Sequence, residues 1–451
     1  MKEEVKNIID RLSDDEQDLI KVLSQVVSIA GEIYVKQGNP GYPGGNLYPH
    51  DMTREEFDQA AIRDSELKRF DTVVERVSSG GYRAVPYNEK YSSYYARMIE
   101  LLEKARSLSP DPNFRVYIRA LIACLEEGTQ EAYRHMTKAW VETKDYYINF
   151  VFTYDELYAD RLLGLKGSFN AILFLEDPEM TPRIMQPVRL KEKFLESLSI
   201  PGEPIIYPGI SPAVYYTVVQ DGLARNFEAR AWNCPDDPVS REQSGTRQMI
   251  VREVMLNLLS EQLRPIIREI FCCNEDISDN QFRDGFFWTI TLHEICHNVG
   301  NYRCYKNLEK YSSVFEELKN YIIPIYWMFF CQQEKVCLEK EVKASVFSYL
   351  AYSLANAVLG EKVKERESYL WATLILWNYL VEKKILIVAD NKVEINFNDL
   401  PDAFLEIFNE VIGIMEKCSY DQAKEYVEKY SDKSKFTEVF KVARKLAKID
   451  D

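Results

Sequence analysis

Two histidines stand four residues apart, with a glutamate directly after the first, in His293-Glu294-Ile295-Cys296-His297; the whole 451-residue chain has only four histidines. No other stretch constrains the fold as tightly. Positions i and i+4 share one face on a helix and not on a strand, so two imidazoles at this spacing can close on one metal ion only if the segment is helical. The flanks Ile290-Thr291-Leu292 and Asn298-Val299 carry no charge. An apolar helix of this kind is expected at the floor of a cleft, where desolvation strengthens metal–ligand and carboxylate–water interactions. His293 and His297 would bind Zn²⁺ as neutral imidazoles, and Glu294 would take a proton from a water on the metal. Without a metal, the same pair would be two hydrogen-bonded core histidines. Cys296 faces away from the pair on a helical wheel and reads as a small core residue. His50 and His135 read as surface residues.

A catalytic zinc site needs a third protein ligand and an open position for water. Downstream no histidine is left, but Glu316 and Glu317 stand in the apolar context Ser313-Val314-Phe315 and Leu318. Two carboxylates on a mostly apolar helix are costly to bury without a cation. A zinc ion would account for them; a solvated pair is the alternative.

The rest of the chain narrows the class of protein. A net charge of −15 leaves no basic excess to neutralise phosphates, so neither a nucleic-acid nor a membrane partner is expected. Nine cysteines, an odd number with no C-x-x-C pair, read as reduced thiols and a cytoplasmic location rather than a disulfide framework. The N-terminal residues lack the apolar core of a signal peptide. Ala344–Gly360 is uncharged but short for a membrane span, and reads as a buried core helix.

Helical periodicity marks residues 1–35, a turn-rich break covers Lys36–Pro49, and Thr53-Arg54-Glu55-Glu56 has the form of a capping box. Residues 53–146 read as helical, with loops near Ser79–Gly81 and Ser109–Asn113. A small sheet is expected within 165–235. It would contain a buried strand at Phe169–Leu175 and a hairpin of Val214–Gln220 and Leu223–Trp232 turning at Asp221-Gly222. From Arg247 the pattern is helical again. The motif helix is expected to run from about Asp284 to Gly300, followed by apolar helices near 313–333, 341–360 and 364–383. A second hairpin, Ile385–Phe397, turns at Asp390-Asn391, and two or three amphipathic helices close the chain. The fold class is mainly α with a small β portion. We expect an N-terminal helical region at 1–150, a mixed α/β lobe at 151–235 and a helical lobe carrying the zinc motif at 236–451, with a cleft between the lobes.

With these residues in view, the sequence resembles the dipeptidyl-peptidase III family of zinc exopeptidases, especially its shorter bacterial members. His293–Gly300 (HEICHNVG) is similar to the group's H-E-x-x-H-G-L-G, and Tyr311–Lys319 (YSSVFEELK) to its Y-S-x-x-E-E-x-K-A-D. Ala231–Gly245, Glu156–Gly167 and Leu47–Phe57 resemble further family stretches in the same order. The resemblance implies Glu317 as the third ligand of one Zn²⁺ per chain and Glu316 as its neighbour in support. It also implies Asn233 and Asp236 as peptide-holding residues and Tyr158 as a stabiliser of the tetrahedral intermediate. Four positions depart from the pattern, the first being Asp236, which stands where the family has its second asparagine. Tyr321 replaces an acidic residue that orients a ligand histidine, and Asn298 replaces the glycine after the second zinc histidine. Tyr369 replaces a histidine near the substrate carbonyl, with no arginine following it. A tyrosine there can still donate to an oxyanion.

The expected function is that of a zinc metallopeptidase cleaving short peptides through a metal-bound water with Glu294 as general base. A zinc hydrolase of a small non-peptide amide, or an altered homologue that binds a peptide or protein, are the alternatives.

Overall fold

The computed structural model describes residues 3–448 except 79, 158, 227–229, 236 and 273–275. The chain folds into two compact units. The first comprises Met1–Glu176, Tyr215–Ala229 and Asp237–Ser244; the second comprises Asp177–Val214, Arg230–Asp236 and Gly245–Asp451. The class is the expected one: mainly helical, with a smaller sheet component.

In the first unit, long amphipathic helices pack beside a sheet. Asp14–Gln37 opens on a capping box between Ser13 and Glu16 and buries one apolar face, Leu19, Val26 and Ile33 among others. It contacts helix Ser92–Leu108 and strand Ser168–Glu176. The Thr53–Glu56 capping box forms as its sequence requires, with reciprocal side-chain and backbone bonds.

Three readings of this region need correction. Residues 53–146 are not helical throughout: Thr72–Arg76 and Tyr82–Pro86 form an antiparallel hairpin. Its Val73, Val74 and Val85 are buried, and Gly80 and Gly81 both take positive φ at the turn. The sheet begins earlier than 165, at strand Ile148–Glu156, which pairs with Ser168–Glu176. Asp221-Gly222 is not a hairpin turn either. Strand Ile210–Gly222 runs through it, with Gly222 opposite Asn170, and a Cβ on Gly222 would lie 2.3 Å from the Phe169 carbonyl oxygen. The glycine serves close strand approach, not chain reversal. Leu223–Asn226 then forms a short 3-10 turn.

In the second unit, strand Ala231–Cys234 pairs with Thr246–Val251, so residues 246–251 are extended rather than helical. The helical core is built around Asp279–Cys296, Ser312–Gln333, Glu339–Gly360 and Glu367–Glu382, of which Ser312–Gln333 and Glu339–Gly360 each contact the other three. Glu339–Gly360 is long and apolar enough to cross a membrane, but 89% of its most apolar window is buried inside the protein, as the core-helix reading expects. The Leu386–Ala389 and Lys392–Ile395 hairpin turns with Asp390 at positive φ, and three helices close the chain.

The motif helix starts five residues before Asp284, because Ser278 and Gln281 form a capping box. Asp284 instead pairs with Arg183 and Arg283. The helix ends at Cys296, with His297 as its C-cap and Gly300 at positive φ beyond it. Gly285 allows close packing against Glu339–Gly360: a Cβ there would come within 2.8 Å of the Ser345 backbone nitrogen. The all-reduced cysteine reading is also corrected, since Cys304 and Cys418 form a disulfide. It joins the segment after the motif helix to the end of Leu400–Lys417. Cys296 is fully buried, as its wheel position requires.

Candidate metal centre

Burial sets the chemistry of the first histidine. His293 is 3% exposed. Burial, reinforced by the charge of His297, pushes its pKa well below the ordinary value, so the imidazole is neutral. Its Nδ1 lies 2.7 Å from the Tyr349 hydroxyl. That hydroxyl donates its one proton to the Asn320 carbonyl at 2.6 Å. It must therefore accept from Nδ1–H, which leaves the Nε2 lone pair bare.

Nε2 of His293 faces Oε2 of Glu317 at 3.5 Å. The distance falls within ion-pair range, but a neutral imidazole presenting a lone pair makes no bond to a carboxylate. Glu317 Oε2 is in fact buried without a hydrogen-bond partner. A buried acceptor facing a second acceptor is costly unless a cation sits between them.

His297, at the C-cap of the motif helix, completes the set. Its Nδ1 donates to Glu316 Oε1 at 3.0 Å, again leaving Nε2 free. The Asn320 amide lies 2.8 Å from the same Nδ1. With its oxygen toward the ring it shares that proton; turned the other way, Oδ1 is buried and unpartnered. His293, His297 and Glu317 each offer one ligand atom, all within 4.8 Å of one another. Two nitrogens and a carboxylate oxygen suit zinc, and the set could hold a metal ion.

The charges around the triad are balanced by one buried lysine. Lys319, fully buried, donates to Val299 O, Asn301 Oδ1 and Glu316 Oε1 at 2.7, 2.9 and 3.1 Å. Burial alone would raise the Glu316 pKa; the Lys319 charge and the His297 bond overcome it and bring it down to about 2. Glu317 goes the other way: burial raises its pKa, and Glu316 adds to the rise against the pull of His297, Tyr369 and Arg366. For His297, burial is outweighed by the Glu316 bond and the charges of Glu317, Glu316 and Glu294, so its pKa is raised. A metal ion binds only the neutral ring, so any proton on Nε2 of His297 would leave on metal binding.

Glu294 is only half-buried, and His297 feels its charge. Tyr369 reaches the site, where its hydroxyl helps to draw the Glu317 pKa down. Asn233 is placed in an amide cluster. It accepts from Gln248 at 2.8 Å and exchanges bonds with Asn298 at 3.3 and 3.4 Å, while Asn298 also donates to Thr246 at 3.0 Å. Tyr158 and Asp236 lie outside the described residues. His50 and His135 are exposed, as expected.

Sequence reasoning missed Tyr349, Asn320, Lys319 and Arg366. Lys319 left a trace: it follows Glu316 by three on an apolar helix, the spacing of a helical ion pair. Tyr349 left none, because it comes from a helix more than fifty residues away. Tyr321, at the position where an acidic residue orients the histidine in the family pattern, does not bond His293. Its ring lies 6.0 Å from the imidazole, and its hydroxyl accepts from Asn356.

Searches of the sequence against family models and against curated proteins returned no match. Solved structures do match. Dipeptidyl-peptidase III from Caldithrix abyssi superposes with a TM-score of 0.83 at 22% identity, over 96% of this chain and 93% of that one. Dipeptidyl-peptidase III from Corallococcus sp. strain EGB gives 0.74 at 17% identity, over 98% and 92%. This chain has the fold of those two proteins across nearly its whole length.

Proposed function

We propose that the protein is a zinc-dependent metallopeptidase acting on short peptides. The orphaned Oε2 of Glu317, facing a bare Nε2 of His293, is the observation that carries this reading. Similarity in fold to two dipeptidyl-peptidases III supports it. The ion held by His293, His297 and Glu317 supplies Lewis acidity and makes water more acidic. Glu294 accepts a proton from the attacking water and returns it to the leaving nitrogen. The Tyr369 hydroxyl, and Tyr158 on the family resemblance, donate to the oxyanion. Lys319 and Glu316 hold His297 in the tautomer that leaves Nε2 free.

Metal analysis together with a panel of dipeptidyl and tripeptidyl arylamides tests this. We expect one zinc per chain, measurable cleavage, and a loss of several orders of magnitude in kcat for Glu294→Gln with zinc retained. Full zinc with no cleavage of any peptide would move the reading to a hydrolase of small non-peptide amides. The engagement of Asn233 by Asn298 favours that second reading, because it occupies the amide that would hold a peptide backbone.

A further inference from the structure

Two arginines of the second unit stand near the candidate metal centre with no ion pair among the described residues. Arg230 donates from Nη1 to Asn356 Oδ1 at 2.9 Å, and its Cζ lies 5.9 Å from the Tyr352 ring. Tyr352 stacks on Tyr349, the partner of His293, at 5.9 Å. Arg366 places its Cζ 5.2 Å from the ring of Tyr369, the partner of Glu317, and its charge acts on both Tyr352 and Glu317. Arg230 thus stands one ring away from the partner of His293, and Arg366 stands against Tyr369, whose ring lies 6.5 Å from that of Tyr321.

Among the described residues neither arginine makes an ion pair, and the nearby Glu317 carboxylate is committed to the metal site. Arg252, Arg264, Arg283 and Arg444 have the same intermediate burial, and each reaches a carboxylate within 3.0 Å. With 71 acidic residues against 56 basic ones, counter-ions are abundant in this chain. Two half-buried cations with no ion pair among the described residues would gain free energy from an anion supplied from outside.

We infer that Arg230 and Arg366 bind a substrate carboxylate, so that the preferred substrates are peptides carrying a negative charge beside the scissile bond. The inference rests on the metallopeptidase reading for the word substrate, but not for the binding. Guanidinium groups suit carboxylates by shape as well as charge. The carboxylate can belong to an acidic side chain or to the peptide terminus.

Calorimetry on zinc-loaded Glu294→Gln protein, which leaves peptides uncleaved, separates these cases. The probes are tetra-alanine, tetra-alanine amide and tetraglutamate amide. We expect at least one carboxylate-bearing peptide to bind about tenfold or more tightly than tetra-alanine amide. Adding Arg230→Gln or Arg366→Gln should abolish that preference, while Arg230→Lys and Arg366→Lys keep part of it. Tetra-alanine leading identifies the terminus; tetraglutamate amide leading identifies the side chain. A smaller preference overturns the inference, as does one that survives both glutamine substitutions, which would mark direct binding to zinc. Melting temperatures of the variants verify folding. If wild-type protein cleaves none of these peptides while the arginine-dependent preference holds, the peptidase reading falls and the anion site stands.

Discussion

The Tyr349 hydroxyl accepts the Nδ1 proton of His293 while donating to the Asn320 carbonyl, and this fixes which nitrogen faces the ligand triad. A tyrosine on helix Glu339–Gly360 thus performs the orienting task that an acidic residue at position 321 would perform in the family pattern. Tyr349→Phe removes the acceptor and lets the imidazole adopt either tautomer. Zinc affinity should fall about 10- to 100-fold, read by competition with a chromogenic chelator. Unchanged affinity would show that Asn320 alone orients the ring.

Glu317 is a burden on the metal-free protein and an asset to the metal-bound one. Glu317→Leu removes the buried orphan oxygen with little change in volume. In chelator, the variant should be more stable than wild type by about 1–3 kcal/mol. On adding zinc, wild type should gain thermal stability and the variant should not. A variant markedly less stable than wild type in chelator would mean that Oε2 has a protein partner after all.

The Glu316 pKa lies near 2 against an ordinary 4.5, because Lys319 and His297 favour its charged form. A carboxyl group with a lowered folded-state pKa stabilises the fold above its unfolded value and loses that contribution as pH falls through the folded value. In metal-free protein, the stability advantage of wild type over Glu316→Gln should therefore be full between about pH 4.5 and 6, below the range where His297, whose pKa the same bond raises, gives up its proton. The advantage should shrink between pH 4.5 and 2, by up to about 3 kcal/mol. Denaturant titrations across that range measure it; a difference independent of pH would refute the assigned charge.

Asn298 occupies the amide of Asn233. Asn298→Ala releases it, at a backbone position that does not require glycine. If Asn233 holds peptide backbone, KM for a neutral tripeptide arylamide should fall about 3- to 10-fold, the equivalent of one net hydrogen bond. A rise in KM would show that the cluster is needed in its present form, and that Asn298 is itself part of the binding surface.

Much of the helical core was legible because burial on all sides and capping chemistry are local properties. Ser312–Gln333, Glu339–Gly360 and the Leu386–Ile395 hairpin fall where apolar runs and a turn residue at positive φ require. The errors share one cause. At Gly222 a turn residue serves a neighbouring strand, and at Thr72–Arg76 a short strand depends on its pairing with Tyr82–Pro86. Neither neighbour can be read along the chain.

The sequence by itself singled out the residues of the candidate metal centre. Two histidines at helical spacing, and two carboxylates too costly to bury without a cation, are facts of local geometry and solvation. The tertiary structure decided everything that depends on contact. It set the tautomers of both imidazoles through Tyr349 and Glu316, balanced charge through Lys319, and withdrew Asn233 into an amide cluster. Hydrogen bonds and ion pairs act over a few ångströms between residues tens of positions apart in sequence, so the partners exist only once the helices pack.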